Sequence, residues 1–194
     1  MKISLIVEGD SDKILFEGQR SWFESLGLEL NIIPTYGKSN MIKASMKHYK
    51  IALLNNVSNI IFLPDQNDDV CALVTRQKIG IDSKDRAVTI VMKRELEAWI
   101  LADGKCVRDS TCLQYAPPGQ TDTEINPKQR LYNILERKLG FFPTEVEAAQ
   151  IISPYFSIAR AAINNTSAKR FKDFIEGRFN RFSFQVASGK GARP

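Results

Sequence analysis

The stretch ISLIVEGDSDKILFEG, residues 3–18, decides the fold class. Ile3 to Val7 is a short β-rich run, apolar but for Ser4, and Glu8 closes it. Gly9 permits a sharp turn. Asp10 or Ser11 can then cap a helix on which Ile14, Leu15, Trp22 and Phe23 fall at helical spacing. This predicts Glu8 at the carboxyl end of a buried strand, with Asp12 one helical turn behind it. In open α/β sheets ligands bind at that edge, and two acids there suit a divalent cation held by oxygen ligands. Asp10, Ser11 and Asp12 are also ordinary first-turn residues, favoured by free backbone N–H groups and the helix dipole. No such structural reason selects Glu at position 8.

Outward from this unit, Leu28–Pro34 (LELNIIP) reads as a second strand. YGKSN, residues 36–40, opens a helix with Met41, Ile42, Met46, Tyr49 and Leu53 on one side. GKS invites a nucleotide phosphate-loop reading, but that pattern needs glycine five residues before Gly37, where Ile32 stands. A glycine turn with Lys38 at a helix N-terminus still suits a single phosphate. His48, the one histidine, sits mid-helix among Lys47, Tyr49 and Lys50, as on a solvated face. Val57–Leu63 is a third strand and ends in the acidic run PDQNDD, residues 64–69. A helix over Val70–Lys78, a fourth strand at Ala87–Met92 and a helix over Lys93–Asp103 follow. The first turn of that last helix carries Glu95 and Glu97, and Trp99, Ile100 and Leu101 form its apolar side. Strands alternating with helices, each strand continuously apolar, predict a parallel sheet covered on both faces.

Beyond Gly104 the character changes. Val107–Ile125 is polar and contains Pro117, Pro118 and Gly119, which predicts a loop. Pro127–Leu139 reads as a helix begun by proline at its first position, and further helices are expected at Thr144–Ile152, Pro154–Asn164 and Ala168–Arg178. The expected division is an α/β domain over 1–104, a loop over 105–126, a helical extension over 127–187 and a disordered tail over 188–194.

A chain of 194 residues, 43% hydrophobic and 25% charged, suits one sizeable core, or one domain with a small appendage. Its apolar runs fall short of the roughly 20 residues of a membrane span. Glu8 and Asp10 interrupt the first apolar run too early for a signal peptide. Cys71, Cys106 and Cys112 lack metal-ligand spacing and are expected to be reduced thiols in a cytoplasmic protein. The net charge of +5 is uneven: the segment from Arg160 onward carries +6 and the remainder −1. Lys169, Arg170 and Lys172 lead that basic end, which suits a polyanionic partner.

The acidic groups Glu8/Asp12, Asp65–Asp69 and Glu95/Glu97 all follow predicted strands, so one sheet edge brings them together. Clustered carboxylates repel unless a cation lies between them. Oxygen ligands without Cys or His point to Mg²⁺ or Mn²⁺, the ions of metal-assisted phosphoryl chemistry. These residues resemble the Toprim domain of topoisomerases, bacterial primases and overcoming-lysogenization-defect (OLD) nucleases. Glu8-Gly9 matches its Glu motif, Asp65-x-Asn67 its Asp-x-Asp motif, and Glu95-x-Glu97 follows the fourth strand. The Glu8-x-x-x-Asp12 spacing is nearest the OLD branch. RELEAWILAD, residues 94–103, followed by Asn126-Pro127-Lys128, resembles small stand-alone Toprim proteins of mobile-element and phage-defence loci, which sit beside ATPases.

The resemblance implies a metal-dependent nuclease, with an ATPase partner and with oligomers possible. Glu8, Asp12, Asp65, Asn67, Glu95 and Glu97 would hold the metal, and Lys128 would stabilise charge on the scissile phosphate. Asn67 departs from the pattern: its amide keeps an oxygen but removes one negative charge. Topoisomerase or primase activity would need further domains. A receiver-like phospho-acceptor needs a second acid directly after Glu8, where Gly9 sits. The rival of another class is a non-catalytic subunit that binds nucleic acid or an ATPase and carries a degenerate metal site.

Overall fold

Apolar side chains on both sides of the backbone make β1 (Lys2–Val7) the spine of a parallel sheet. In the computed structural model, which describes residues 1–67 and 69–188 with side chains through residue 178, β1 pairs with β2 (Glu29–Pro34) and β3 (Asn59–Phe62). β3 pairs with β4 (Ala87–Thr89), so the order is β2-β1-β3-β4, all parallel. Successive residues of β1 serve different cores: Ile3, Leu5 and Val7 one, Ile6 the other. The smaller core takes Met41, Ala52 and Ile79 from α3 (Lys38–Lys43), α4 (Ser45–Leu54) and α5 (Ala72–Ile79). The larger lies under α1 (Asp10–Glu17), α2 (Arg20–Ser25), α6 (Leu96–Ala102) and α7 (Gly104–Thr111), together with α8 (Pro127–Leu139), α9 (Glu145–Ile152), α10 (Ile158–Asn164) and α11 (Thr166–Ser188). The expected Rossmann-like α/β class, with about four parallel strands flanked by helices, is the observed one.

The C-terminal helices are a wall of that larger core. Leu131, Ile152, Ile158, Phe171 and Ile175 belong to one buried cluster with Ile3 and Trp99. The Phe171 ring lies 5.6 Å from Trp99 and 5.9 Å from Phe16, centroid to centroid. Trp99 Nε1 donates to Ser167 Oγ at 2.8 Å, so the indole is satisfied while buried. Burying each such ring contributes about 1.5–3 kcal/mol.

Four local expectations need correction. The first helix does not run on to Phe23: it breaks at Gly18, where a Cβ would stand 2.1 Å from Ser153 Oγ. Gln19 then anchors the turn, donating to the Phe156 carbonyl at 2.8 Å. The helix opened by YGKSN is likewise split, at Ala44, into α3 and α4. The acidic helix starts at Leu96 rather than Lys93, because Arg94 is left-handed (φ 67°) and leaves Glu95 as the N-cap. The expected loop over 105–126 is helical as far as Thr111. Its buried residues are Gly104, Cys106, Val107 and Thr111, and the Asp103 carboxylate caps it by accepting from the Cys106 amide at 3.1 Å. The expected tail lies outside the described residues from 189 onward.

The strand order positions the site. β1 connects to β2 on one side and the chain then crosses to β3 on the other, so the topological switch point lies between β1 and β3. Ligands bind outside the carboxyl ends of strands at such a point. Glu8 follows β1 there, and Pro64, which has no N–H to continue a ladder, ends β3 just before Asp65.

Candidate metal centre

Glu8 and Asp12 are tied into the first strand–helix turn. Asp12 Oδ2 accepts from the amides of Glu8 (2.9 Å) and Gly9 (3.0 Å), closing the N-terminus of α1. The capping contribution weighed for Asp10 and Ser11 thus falls to Asp12. Glu8 reaches across the switch point instead: its Oε1 accepts from the Asp65 amide at 2.9 Å. The turn after β2 closes the other flank, with the Gly37 amide donating to the Glu8 carbonyl at 2.8 Å. Gly37 has φ 112°, a conformation open to glycine and strained for other residues.

Beyond Pro64 a single parallel bridge, Asp65 to Met92, continues the β3–β4 pairing. The amides of Gln66 and Asn67 donate to the carbonyls of Met92 and Arg94 at 2.8 and 2.9 Å, which brings the third acidic group beside the second. Asn67 is left-handed (φ 47°). Asn and Asp are among the few residues that adopt this conformation readily, so the backbone accepts either the amide present or the Asp that the resemblance leads one to expect. Asp69 is taken up by the loop itself: Lys38, Lys78 and Thr75 surround its carboxylate and hold its pKa well below the usual range. Position 68 lies outside the described residues.

All six predicted ligands and Lys128 line one open cleft of about 390 Å³, from four separate segments of chain. Its electrostatics are those of crowded, partly dehydrated acids. Burial pushes Glu8 up to about 7; the Asp65 amide opposes this, the Asp12 charge adds to it, and Lys38 again opposes. Burial lifts Asp12 to about 6 against its two amide bonds, and Glu97 to about 7. Asp65 is raised well above its ordinary range: burial first, then the charges of Asp12, Glu8, Glu97 and Glu95. Its Oδ1 is out of contact with solvent and has no hydrogen-bond partner among the described residues.

Lys128, named from the sequence, lines the cleft together with Glu145 and Tyr36. Lys128, in the first turn of α8, donates its amide to Glu95 Oε2 at 3.3 Å and pairs its ammonium with Glu145. Burial alone would lower the Lys128 pKa, but the Glu145 bond and the charges of Glu97, Glu145 and Glu95 raise it overall. Glu145 and Tyr36 line the cleft without having been singled out from the sequence. Glu145 is the first residue of α9, where Thr144 and Glu147 form a capping box. An acid there reads as helix capping, so nothing local marks it.

The expected polyanion contacts fare differently. Lys38 is mostly buried and bonds the Gln66 carbonyl and Asp69, each at 2.8 Å, so it holds the β3–α5 loop rather than presenting a free ammonium to phosphate. Lys169 and Lys172 pair along α11 with Asp173 (2.5 Å) and Glu176 (2.6 Å), and Arg170 is exposed on the same helix. His48 is not part of the cleft.

Among the described residues, no three His, Cys, Asp or Glu side chains stand close enough together to form a ready-made metal cage. Three features nonetheless fit a hard cation. Every donor is oxygen, the Asp65 Oδ1 is an orphaned buried acceptor among the described residues, and Glu8 and Glu95 are each held in place by a backbone amide. No family model matches the chain, and neither does any curated protein or solved structure.

Proposed function

We propose that this chain is a divalent-metal-dependent phosphodiesterase of the Toprim type acting on nucleic acid, with the acidic cleft as its active site. The observation that carries the reading is the unpartnered, buried Asp65 Oδ1 in a cleft shared with Glu8, Asp12, Glu95 and Glu97. A carboxylate in that state is costly unless a proton or a cation joins it. Glu8 and Asp65 would hold Mg²⁺ or Mn²⁺ directly, with the Asn67 carbonyl, Asp12, Glu95 and Glu97 around them. Bound there, the ion would polarise a phosphoryl oxygen and lower the pKa of a water.

The chain's own groups divide the remaining work. The amide bond from Asp65 orients Glu8 across the switch point. Lys128 carries a positive charge at the cleft mouth and neutralises charge that develops on the scissile phosphate. Glu145 positions that ammonium in the free protein. An ATPase partner rests on the resemblance alone.

The rival reading, a binding subunit without catalysis, draws on one observation: the absence of a three-acid cage among the described residues. Thermal melts with Mn²⁺ and Mg²⁺, and a cleavage screen on DNA and RNA, separate the two. Catalysis requires a metal-dependent rise in melting temperature and cleavage, both abolished by Glu8→Gln. A wild-type protein indifferent to both ions sinks the enzymatic reading.

A further inference from the structure

Helix α8 has two opposed faces. Pro127, Leu131, Tyr132 and Leu135 are buried. On the other side Asn126, Arg130, Asn133 and Arg137 recur at helical spacing, with Gln129 beside them, and line an open groove of about 580 Å³. This stripe consists of amides and guanidinium groups and contains no carboxylate. Glu124, on the facing wall, pairs with Arg130 at 2.5 Å, and no carboxylate lies within ion-pair distance of Arg137 among the described residues.

The groove continues into the acidic cleft. Asn126 and Gln129 also line a second hollow of about 600 Å³ with Phe142 and Lys128. That hollow in turn shares Glu95, Lys128 and Glu145 with the cleft. There Phe142 is 53% exposed and packs on Tyr132, with ring centroids 5.2 Å apart and planes at 34°. A large ring held by a second ring, yet open to solvent, has apolar surface for a flat partner. It lines the same hollow as Lys128, and Asn126 and Gln129 join that hollow to the guanidinium stripe around the side of α8.

We propose that this track binds a single-stranded segment of nucleic acid, stacking a base on Phe142 and laying the backbone along Arg137 and Arg130 toward Lys128. The proposal rests on reading the cleft as a phosphodiesterase centre. In a duplex the base faces are covered by their neighbours, so an exposed ring gains little from it; unpaired bases stack on such rings whatever their identity. The track also differs from the basic stripe of α11, whose Lys169 and Lys172 are already paired within their own helix.

The test is fluorescence anisotropy on the full chain in EDTA, with labelled 12-nucleotide DNA and RNA strands of mixed sequence and the same sequences as hairpin duplexes. The single strands should bind about tenfold or more tighter than the duplexes, and Phe142→Ala and Arg137→Ala should each weaken them about fivefold or more. Phe142→Trp should restore the affinity, which a packing defect would not allow, and melting temperatures of the variants report folding separately. Duplex binding equal to or tighter than single-strand binding overturns the proposal, as does wild-type affinity in both the Phe142 and Arg137 variants. Failure of the two readings is distinguishable. Track-dependent binding without Mn²⁺-dependent cleavage sinks the catalytic centre and keeps the track. Cleavage that needs Glu8 but ignores Phe142 and Arg137 sinks the track and keeps the centre.

Discussion

Asp103 and Asp65 both keep carboxylate oxygen out of water, and their surroundings are opposite. Asp103, 1% exposed, accepts from the amides of Cys106 (3.1 Å) and Ser157 (2.9 Å) and from Arg160 Nε and Nη2 (2.8 and 2.9 Å). Four donors and a counter-charge satisfy both of its oxygens, and it joins α6, α7 and α10 at one point. Asp65 faces four other acids and leaves Oδ1 without a partner among the described residues. A saturated buried carboxylate is a fastener. An unsaturated one among like charges is destabilising until something positive arrives, and such groups cluster at functional sites.

The sharpest way to break this contrast is to remove each acid in turn. Asp103→Ala leaves Arg160 without its partner. A buried pair broken on one side costs about 3–5 kcal/mol, but the Arg160 side chain is 39% exposed and regains water, so about 2–3 kcal/mol is expected. At this chain length that lowers the melting temperature by roughly 5–10 °C, with no dependence on metal. Asp65→Asn should act with the opposite sign: in EDTA at pH 8 it raises the melting temperature by a few degrees, and it abolishes the rise that Mn²⁺ produces in the wild type. Calorimetric melts of both variants decide this, and a stabilising Asp103→Ala or a destabilising, still Mn²⁺-responsive Asp65→Asn would undo the contrast.

The pH dependence sharpens the same point. Glu8 and Glu97 ionise at about 7 in the folded chain and Asp12 at about 6, against ordinary values of 4.5 and 3.8. In that window the folded state holds more protons than the unfolded one, so these groups make stability fall as pH rises from about 4.5 to 7. The contribution is fully present below the unfolded values and gone above the folded ones. Melts in EDTA should show this decline and melts in Mn²⁺ a shallower one, since the ion binds the deprotonated acids. A metal-free profile rising across the window would contradict the crowding of acids.

A smaller effect is expected at the cleft mouth. Glu145→Gln frees Lys128 and lowers the repulsion on Asp12, so the Mg²⁺ needed for half-maximal cleavage should change by no more than about threefold, while Lys128→Ala should lower the cleavage rate about a hundredfold or more. Equal losses in the two variants would mean that Glu145 does more than hold the lysine. The smallest effect belongs to Asn67→Asp. It restores one negative charge at a left-handed position that Asp also tolerates, and metal affinity by calorimetry should tighten by a few-fold. Unchanged affinity would place Asn67 outside the coordinating set.

The sequence by itself determined the four parallel strands, the helices between them and the placement of Glu8, Asp65 and Glu95 beyond strand ends. Continuous apolar runs and the Gly9 and Pro64 breaks are local signals, and a parallel sheet converts their shared polarity into one edge. Helix α8 was legible to the residue for the same reason, through Pro127 and its apolar spacing. Tertiary structure alone decided what those local signals omit. Gly18 breaks a helix because Ser153 lies against it, and Gly104–Thr111 is helical on the strength of a cap and four buried residues. Lys38 and Asp69 were drawn to each other across the loop, and Glu145, far along the chain, reached Lys128. A pattern in sequence reports the face a residue presents. Which charge meets it depends on segments that share no sequence neighbourhood, and only the packed core brings them within range.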